Sequence, residues 1–583
     1  MLESALRVSA FLAQGLLLRE WNDEARLRQG AKALRRVGVE KVYLDVSRGR
    51  HADEEGLARA RDVLHEFGFQ VSGGLTPVAG EDFGERSSEG WWFLCYSSPK
   101  TAADVERAAR VAARLFDELL VDDLMATDCT CARCEERREG RSWAEFRQRL
   151  MACFAKKHIV EAARAEHPEM RVIIKYPQWY DNFHNWGYDV FKHPHNFDGL
   201  WVGTETRDRE VEYVEPYQAF ANYRWLVSVA GDETRVGGGW FDQINCDPPT
   251  YLEQAYQTVL AGAPEIALFT PTADYLAPDN PMMEAFRLEL PRLRELAAAL
   301  SGRCHEGIVA YKPRGSDPGD EAYLFDVLGA LGLPMAPSAE IGEEARCVVL
   351  PVQAAHDRES PKRLRRLVER GATVLLTAGF LSRTANAPEV LALAGVQAPQ
   401  PVCEWAFEFE AEGKTCRGEG YVPFRWELRP SDAQVLASAQ TDSRSFPILT
   451  EKQFDNGARV LVLAAKGAEY RREHPLVVPE PLEFVRLANP VVQVLRNRLL
   501  APLGLKFWGP NRVGIYPFSG GLWAIANFRS REAVVEVDDK RWGSAPVWDW
   551  LRGLEVEEVE GGRRVCIPPR TTILLAPRGE YVG

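Results

Sequence analysis

The residues of this sequence best suited to chemistry are carboxylates set among aromatic rings in a few short runs. Asp122 and Asp123 lie in VDDL, and Lys175, Tyr176, Trp179 and Tyr180 in IIKYPQWY. Glu205 and Arg207 lie in GTETRD, and Trp240 and Asp242 in GGGWFDQ. Asp45 and Arg48 add a further acid and base. Breaking a bond between sugars takes two carboxyl groups, one to protonate the leaving oxygen and one to act as nucleophile or to activate water. Aromatic rings offer apolar faces to the C–H face of a sugar. Lys175 and Arg207 can bond hydroxyls or hold a neighbouring carboxylate ionised. These types together point to glycoside hydrolysis of a small glycoside or oligosaccharide. Asp123 is the first expected catalytic carboxylate, with Glu205 its partner ahead of Asp242. Asp122, Lys175, Tyr176, Trp179, Tyr180, Arg207 and Trp240 are expected to line the substrate. Each has a plainer use as well: aspartates cap helices and tryptophans pack cores. Two rival classes draw on the same residues, a sugar-binding barrel without catalysis and a metal-dependent hydrolase with Asp and His ligands.

A second cluster has a different chemistry. Cys129, Cys131 and Cys134 fall within six residues ahead of a helical pattern, and Cys95 is the best-placed fourth thiol. Four thiolates suit a tetrahedral zinc ion, and a closed set of four is structural because no position remains for water. The pair His193 and His195 is a weaker metal signal, since it lies in a connecting loop of a chain with only 10 histidines.

The elements that must position these residues alternate regularly. Apolar, β-rich runs at 7–13, 41–46, 70–76, 118–123, 171–176, 198–203, 235–240 and 265–270 are separated by segments with helical spacing. Eight such units predict a (β/α)8 TIM barrel, whose chemistry sits at the C-terminal strand ends. The four runs quoted above, three of them with carboxylates, all fall at those ends. Strands at 307–313, 347–352 and 373–378 with intervening helices predict a small doubly wound, flavodoxin-like α/β domain. The chain then reads as β-rich and irregular from 384 to 480, followed by a helix and short strands of a C-terminal β-sandwich. The expected domains are residues 1–302, 303–480 and 481–583.

Barrel, small α/β domain and β-sandwich, in that order, resemble the glycoside hydrolase family 42 β-galactosidases. In that family a C-x-C-x-x-C cluster follows the fourth barrel strand and an earlier cysteine completes a zinc site. Cys129, Cys131, Cys134 and Cys95 match that arrangement, and the second domain commonly mediates trimers, so the resemblance implies structural zinc and a homo-oligomer, dimer or trimer. The family's Asn-Glu pair after the fourth strand is here Asp122-Asp123, and its glutamate nucleophile after the seventh strand has Asp242 as nearest counterpart. Retaining α-galactosidases, by comparison, place an aspartate nucleophile after the fourth strand and a carboxylic acid after the sixth, which Asp123 and Glu205 match better.

Bulk properties set the outer limits. The 583 residues exceed one hydrophobic core, with 46% hydrophobic and 27% charged residues as in globular proteins. A formal charge of -13 disfavours nucleic acid as partner. No apolar run is long enough to span a bilayer, and the N-terminus lacks the basic start of a signal peptide, reading instead as a first strand. Eleven cysteines, an odd number and mostly scattered, are expected as reduced thiols in a cytoplasm.

Overall fold

The structure is a computed structural model that describes residues 5–51, 53–90, 92–469 and 481–578. It divides into two compact units, Met1–Arg207 with Val229–Ala298, and Asp208–Ser228 with Ala299–Gly583. The first unit holds the predicted barrel. Strands β1 (Arg7–Leu12), β2 (Lys41–Arg48), β3 (Gln70–Thr76), β4 (Glu118–Val121), β5 (Arg171–Tyr176), β6 (Gly199–Gly203), β7 (Val236–Phe241) and β8 (Glu265–Phe269) pair in sequence and close, β1 on β8. All eight ladders are parallel.

The strands are continuous apolar runs because both faces are covered. Phe11, Tyr43, Leu120, Ile173, Trp201, Trp240 and Ala267 fill the barrel interior. The glycine run of β7 makes room for this core: a Cβ on Gly238 would lie 2.6 Å from the Trp201 ring. Outside, amphipathic helices such as Glu24–Arg36 and Pro99–Leu115 bury one stripe each. Asp23 and Asp53 cap two of these helices. Asp122 and Asp123, Glu205, and Asp242 sit just past β4, β6 and β7 respectively, and Asp45 lies within β2.

The second unit contains the α/β domain and the sandwich. Ile308–Tyr311, Met335–Ser338, Cys347–Leu350, Thr373–Thr377 and Arg459–Leu463 form a parallel core. Numbered along the chain, their spatial order is 2-1-3-4-5, the flavodoxin-like order. The strand Met335–Ser338 has no apolar run of its own and was not among the expected strands. The segment expected to be irregular is regular where described. Val396–Ala411 and Lys414–Pro430 form a long hairpin, and with Gln434–Gln440 and Ser445–Gln453 they extend the same sheet antiparallel. Several bulges break the alternation of those strands, which hides them from a search for period two. Residues 470–480, the end of that predicted segment, lie outside the described residues. The C-terminal strands build a four-stranded and a five-stranded antiparallel sheet.

The segment Asp208–Ser228 belongs to the second unit although it lies between β6 and β7 in sequence. Tyr217 stacks on Tyr516 with ring centroids 5.1 Å apart, and Trp225 Nε1 donates to the Lys312 carbonyl at 3.0 Å.

Candidate active site and thiolate cluster

The C-terminal ends of β2 to β6 carry one connected polar network, and an Arg207–Asp242 ion pair stands past β6 and β7. Lys175, the second-last residue of β5, stands at the centre of the network with its side chain 1% exposed. Its Nζ lies 2.5 Å from Asp123 Oδ2, 2.9 Å from Glu205 Oε1 and 3.8 Å from Asp122 Oδ1. The same ammonium stands 4.2 Å from the centroid of the Trp240 ring, whose negative face adds to its stabilisation. The pair expected from sequence, Asp123 and Glu205, is thus brought onto a single cation.

Asp122 and Asp123 point to different partners. Asp122 Oδ1 accepts the backbone N–H of Asp123 at 2.8 Å, while Oδ2 accepts Arg48 Nη2 at 3.0 Å. Arg48 in turn donates through Nε to Asp45 Oδ2 at 3.1 Å, and Thr76 Oγ1 lies within hydrogen-bond reach of both aspartates. The Tyr188 hydroxyl donates to the Asp123 carbonyl. Glu205 can fold back toward β5 only because residue 203 is glycine: a Cβ there would lie 2.6 Å from Glu205 Oε2 and 3.1 Å from the Gln178 nitrogen. Among the described residues Glu205 Oε2 has no hydrogen-bond partner. Past β7, Asp242 is gripped through both oxygens by Arg207 at 2.9 and 2.6 Å.

These contacts set the ionisation of the site. Burial raises the Asp123 carboxyl to about 8, because repulsion from Asp122 and Glu205 adds to it and Lys175 only partly offsets both. Glu205 is likewise pushed upward, by burial first. Burial also opposes ionisation of Asp122, yet Lys175 and Arg48 overcome it and hold that carboxyl low. Asp45, fully buried, is raised to about 6. Lys175 is held protonated, the three carboxylates around it outweighing its burial. Five carboxylates thus face three cations, so the network retains a proton on the Asp123–Glu205 pair near neutral pH.

The predicted aromatic residues separate into two groups. Trp240 is 2% exposed and packs against Phe11 and Phe269, below the ammonium of Lys175. Tyr176, Trp179 and Tyr180 are buried on the β5 side. Tyr176 lies against Phe183 and Tyr188 at ring distances of 5.2 Å, and its hydroxyl and the Trp179 indole nitrogen have no hydrogen-bond partner among the described residues. His193 is buried beside Tyr176, Tyr188 and Phe197, and burial pushes it down to about 3. Thr76 and Tyr188 belong to the network but carry no sequence signal, since a hydroxyl at a strand end or in a loop looks like any other.

The four predicted thiols also converge. The sulfur atoms of Cys95, Cys129, Cys131 and Cys134 all lie within 4.8 Å of one another. Cys95 Sγ is 3.8 Å from Cys131 Sγ and 3.7 Å from Cys134 Sγ. A tetrahedral ion with metal–sulfur bonds of about 2.3 Å has edges of about 3.8 Å, so the donor set fits a metal ion. The cluster joins the β3 loop to the β4 loop. Thr127 Oγ1 donates to the Leu94 carbonyl at 2.9 Å and Thr130 N to Ser88 Oγ at 2.9 Å across the same seam.

A closed parallel barrel with paired carboxylates at its C-terminal mouth is the frame of many sugar-processing enzymes. Residues 3–284 match the profile of a family described as "Probable glycosyl hydrolase, catalytic domain". An uncharacterized protein of Saccharolobus solfataricus is 25% identical over 45% of this chain, and the match spans 48% of that protein's length. Among solved structures, the fold is similar to α-L-fucosidase isoenzyme 2 from Paenibacillus thiaminolyticus, with a TM-score of 0.65 and 12% identity over 98% of this chain and 99% of that one. It is also similar to an exo-β-1,4-mannosidase from Opitutaceae bacterium strain TAV5, with a TM-score of 0.51 and 15% identity over 79% and 91% of the two chains. The family match covers all eight barrel strands, and the two structures share the fold.

Proposed function

We propose that this protein is a retaining glycoside hydrolase in which Asp123 is the nucleophile and Glu205 the general acid and base. The observation that carries this reading is the single ammonium of Lys175 held by both carboxylates. Their bonded oxygens consequently lie no more than about 5.5 Å apart, which favours the short carboxyl spacing of retaining enzymes over the about 6.5–9.5 Å of inverting ones. Asp123 is the more open of the two, at 15% against 4%, and so the more accessible to an anomeric carbon. Glu205, more deeply buried and with an Oε2 that has no hydrogen-bond partner among the described residues, suits a proton carrier. Asp123 attacks the anomeric carbon as Glu205 gives its proton to the leaving oxygen. Glu205 then takes a proton from water, and the resulting hydroxide releases the sugar from Asp123. Arg48, Lys175 and Arg207 are each already bound by carboxylates, so the expected substrate is a neutral sugar rather than an acidic one. Proton NMR of the first-formed product tests the central point. Retention of anomeric configuration is expected, and inversion would overturn the assignment.

The active form carries one proton on the pair. Burial raises both carboxyls, so raising the pH through the upper titration of the coupled pair removes that proton and kcat/KM falls on the alkaline side. A pH profile of kcat/KM checks this, and Glu205→Gln is expected to abolish that alkaline limb.

The thiolate cluster is proposed to hold structural zinc. Four sulfur donors at tetrahedral spacing support it, and the ion would contribute no open position for chemistry. Elemental analysis is expected to find about one zinc per chain. Cys131→Ser is expected to lower the apparent melting temperature by roughly 5 °C or more, in keeping with loss of a metal-held cross-link. A variant that melts like the parent and keeps its metal would refute the site. The cluster and domain order also support distant kinship with the family 42 β-galactosidases, a cytoplasmic setting for the unpaired thiols and a homo-oligomer. No helix among the described residues is long and apolar enough to cross a membrane.

A further inference from the structure

We propose that Arg48 is a positioning residue for the Asp123–Glu205 pair: its guanidinium, fixed by Asp45, locks the Asp122 carboxylate that in turn fixes the backbone N–H of Asp123. The argument is one of geometry and rests on the retaining reading above. Arg48 is the last residue of β2, two strands away from Asp123, and has no contact with either reacting carboxylate in its hydrogen bonds. Its fork spans three strand ends. Nε holds Asp45 of its own strand at 3.1 Å, while Nη2 reaches Thr76 of β3 and Asp122 beyond β4, both at 3.0 Å.

Each link has a reason to be rigid. Asp45 is fully buried and its Oδ2 also receives the Gln14 backbone N–H at 3.4 Å, so the anchor cannot swing out to water. Thr76 Oγ1 has one proton and two carboxylate neighbours, at 3.1 and 3.2 Å, so it can donate to only one of them. The guanidinium supplies the second and third donors that make both aspartates tolerable side by side. Asp122 Oδ1 is thereby left aimed at the Asp123 nitrogen at 2.8 Å. A lysine cannot replace this fork, because one ammonium cannot reproduce the planar Nε and Nη2 geometry.

The charged groups facing Arg48 are Asp45 of its own strand and Asp122 and Asp123 of the β4 end, while β8 presents the uncharged Phe269 ring 5.4 Å from the guanidinium carbon. Losing the cation would make the cluster more negative, which favours protonation of every carboxylate in it. Both limbs of the pH profile are then expected to move to higher pH.

The test compares Arg48→Lys and Arg48→Met with the parent on one neutral aryl glycoside that the parent hydrolyses. A positioning role predicts kcat lower by about 10^2-fold with KM changed by less than about threefold, and both pH limbs shifted upward. A rise in KM alone with an unshifted profile would make Arg48 a substrate contact and overturn the proposal, as would unchanged kinetics. If those variants do not fold, Thr76→Val keeps every charge and is expected to lower kcat and shift the limbs in the same direction, by less. Again, unaltered kcat and limbs count against the proposal. Proton uptake of the parent minus that of Asp123→Asn, measured without substrate with and without Arg48→Met, reads the same upward shift. Absence of that shift defeats the positioning role, whereas a parent enzyme that hydrolyses no glycoside defeats the retaining reading instead.

Discussion

Asp123→Asn is expected to lower kcat by about 10^4-fold or more, the usual scale for removing a nucleophile from a site whose remaining groups stay in place. That corresponds to about 5.5 kcal/mol of barrier. Glu205→Gln is expected to cost about 10^2- to 10^4-fold, and the loss should depend on the leaving group. A dinitrophenyl glycoside departs without a proton and would be cleaved by Glu205→Gln much faster than an alkyl glycoside. No such rescue is expected for Asp123→Asn. Equal sensitivity of both variants to the leaving group would reverse or abolish the two roles.

Stability gives the same variants an independent reading. The Asp123 carboxyl is raised from its ordinary range to about 8 in the folded state. Between about pH 4 and pH 8 the folded chain therefore binds more protons than the unfolded one, and stability falls as pH rises across that window. Asp123→Asn removes this dependence. Its melting temperature is expected to equal or exceed that of the parent at pH 8, with the difference shrinking toward pH 5.

Lys175→Met should have the largest effect on folding. The substitution keeps the length of the stem and removes the cation shared by Asp122, Asp123 and Glu205. Leaving a buried charge without its partner costs about 3–5 kcal/mol. The loss is expected to be greatest at alkaline pH, where the carboxylates are ionised, and to ease as acid protonates them. Activity should vanish together with the ion that holds Asp123 ready to attack. Thermal melting at pH 8 and pH 5 measures this directly. A pH-independent loss would mean that Lys175 matters for packing over Trp240 and not for charge. The other end of the barrel offers a contrast. There Lys41 sits 2.6 Å from Glu118 and 3.7 Å from Glu265, facing the pole of the barrel where stability rather than chemistry is expected.

The barrel was legible because its strands are buried on both faces and therefore apolar throughout, with helical spacing between them. That pattern located each strand to within about two residues, and locating the strands located the site. Asp122, Asp123, Lys175, Glu205, Arg207 and Asp242 could be picked out for that reason alone. The Cys129-Cys131-Cys134 spacing identified its cluster in the same local way. Elsewhere the signal failed where structure is not periodic. The strand Met335–Ser338 is only four residues long and half buried, and the long hairpin carries bulges that interrupt its alternation. Asp208–Ser228 reads as an ordinary part of the barrel sequence, yet packs within the second unit through Tyr217 and Trp225.

By itself, then, the sequence determined the strand-end positions of the charged residues, because chain periodicity records which faces are buried. Which charges meet was decided only by tertiary structure. Five carboxylates and three cations at similar strand ends can pair in many ways, and nothing local distinguishes them. Barrel closure brings β4, β5 and β6 side by side, and this places Lys175 between Asp123 and Glu205 while Asp242 is taken by Arg207. The glycine at 203 and the deep burial of Trp240 complete the choice, one by admitting the Glu205 carboxylate and the other by placing a ring under the ammonium. Proton sharing depends on distance and desolvation, and those exist only once the strands have closed.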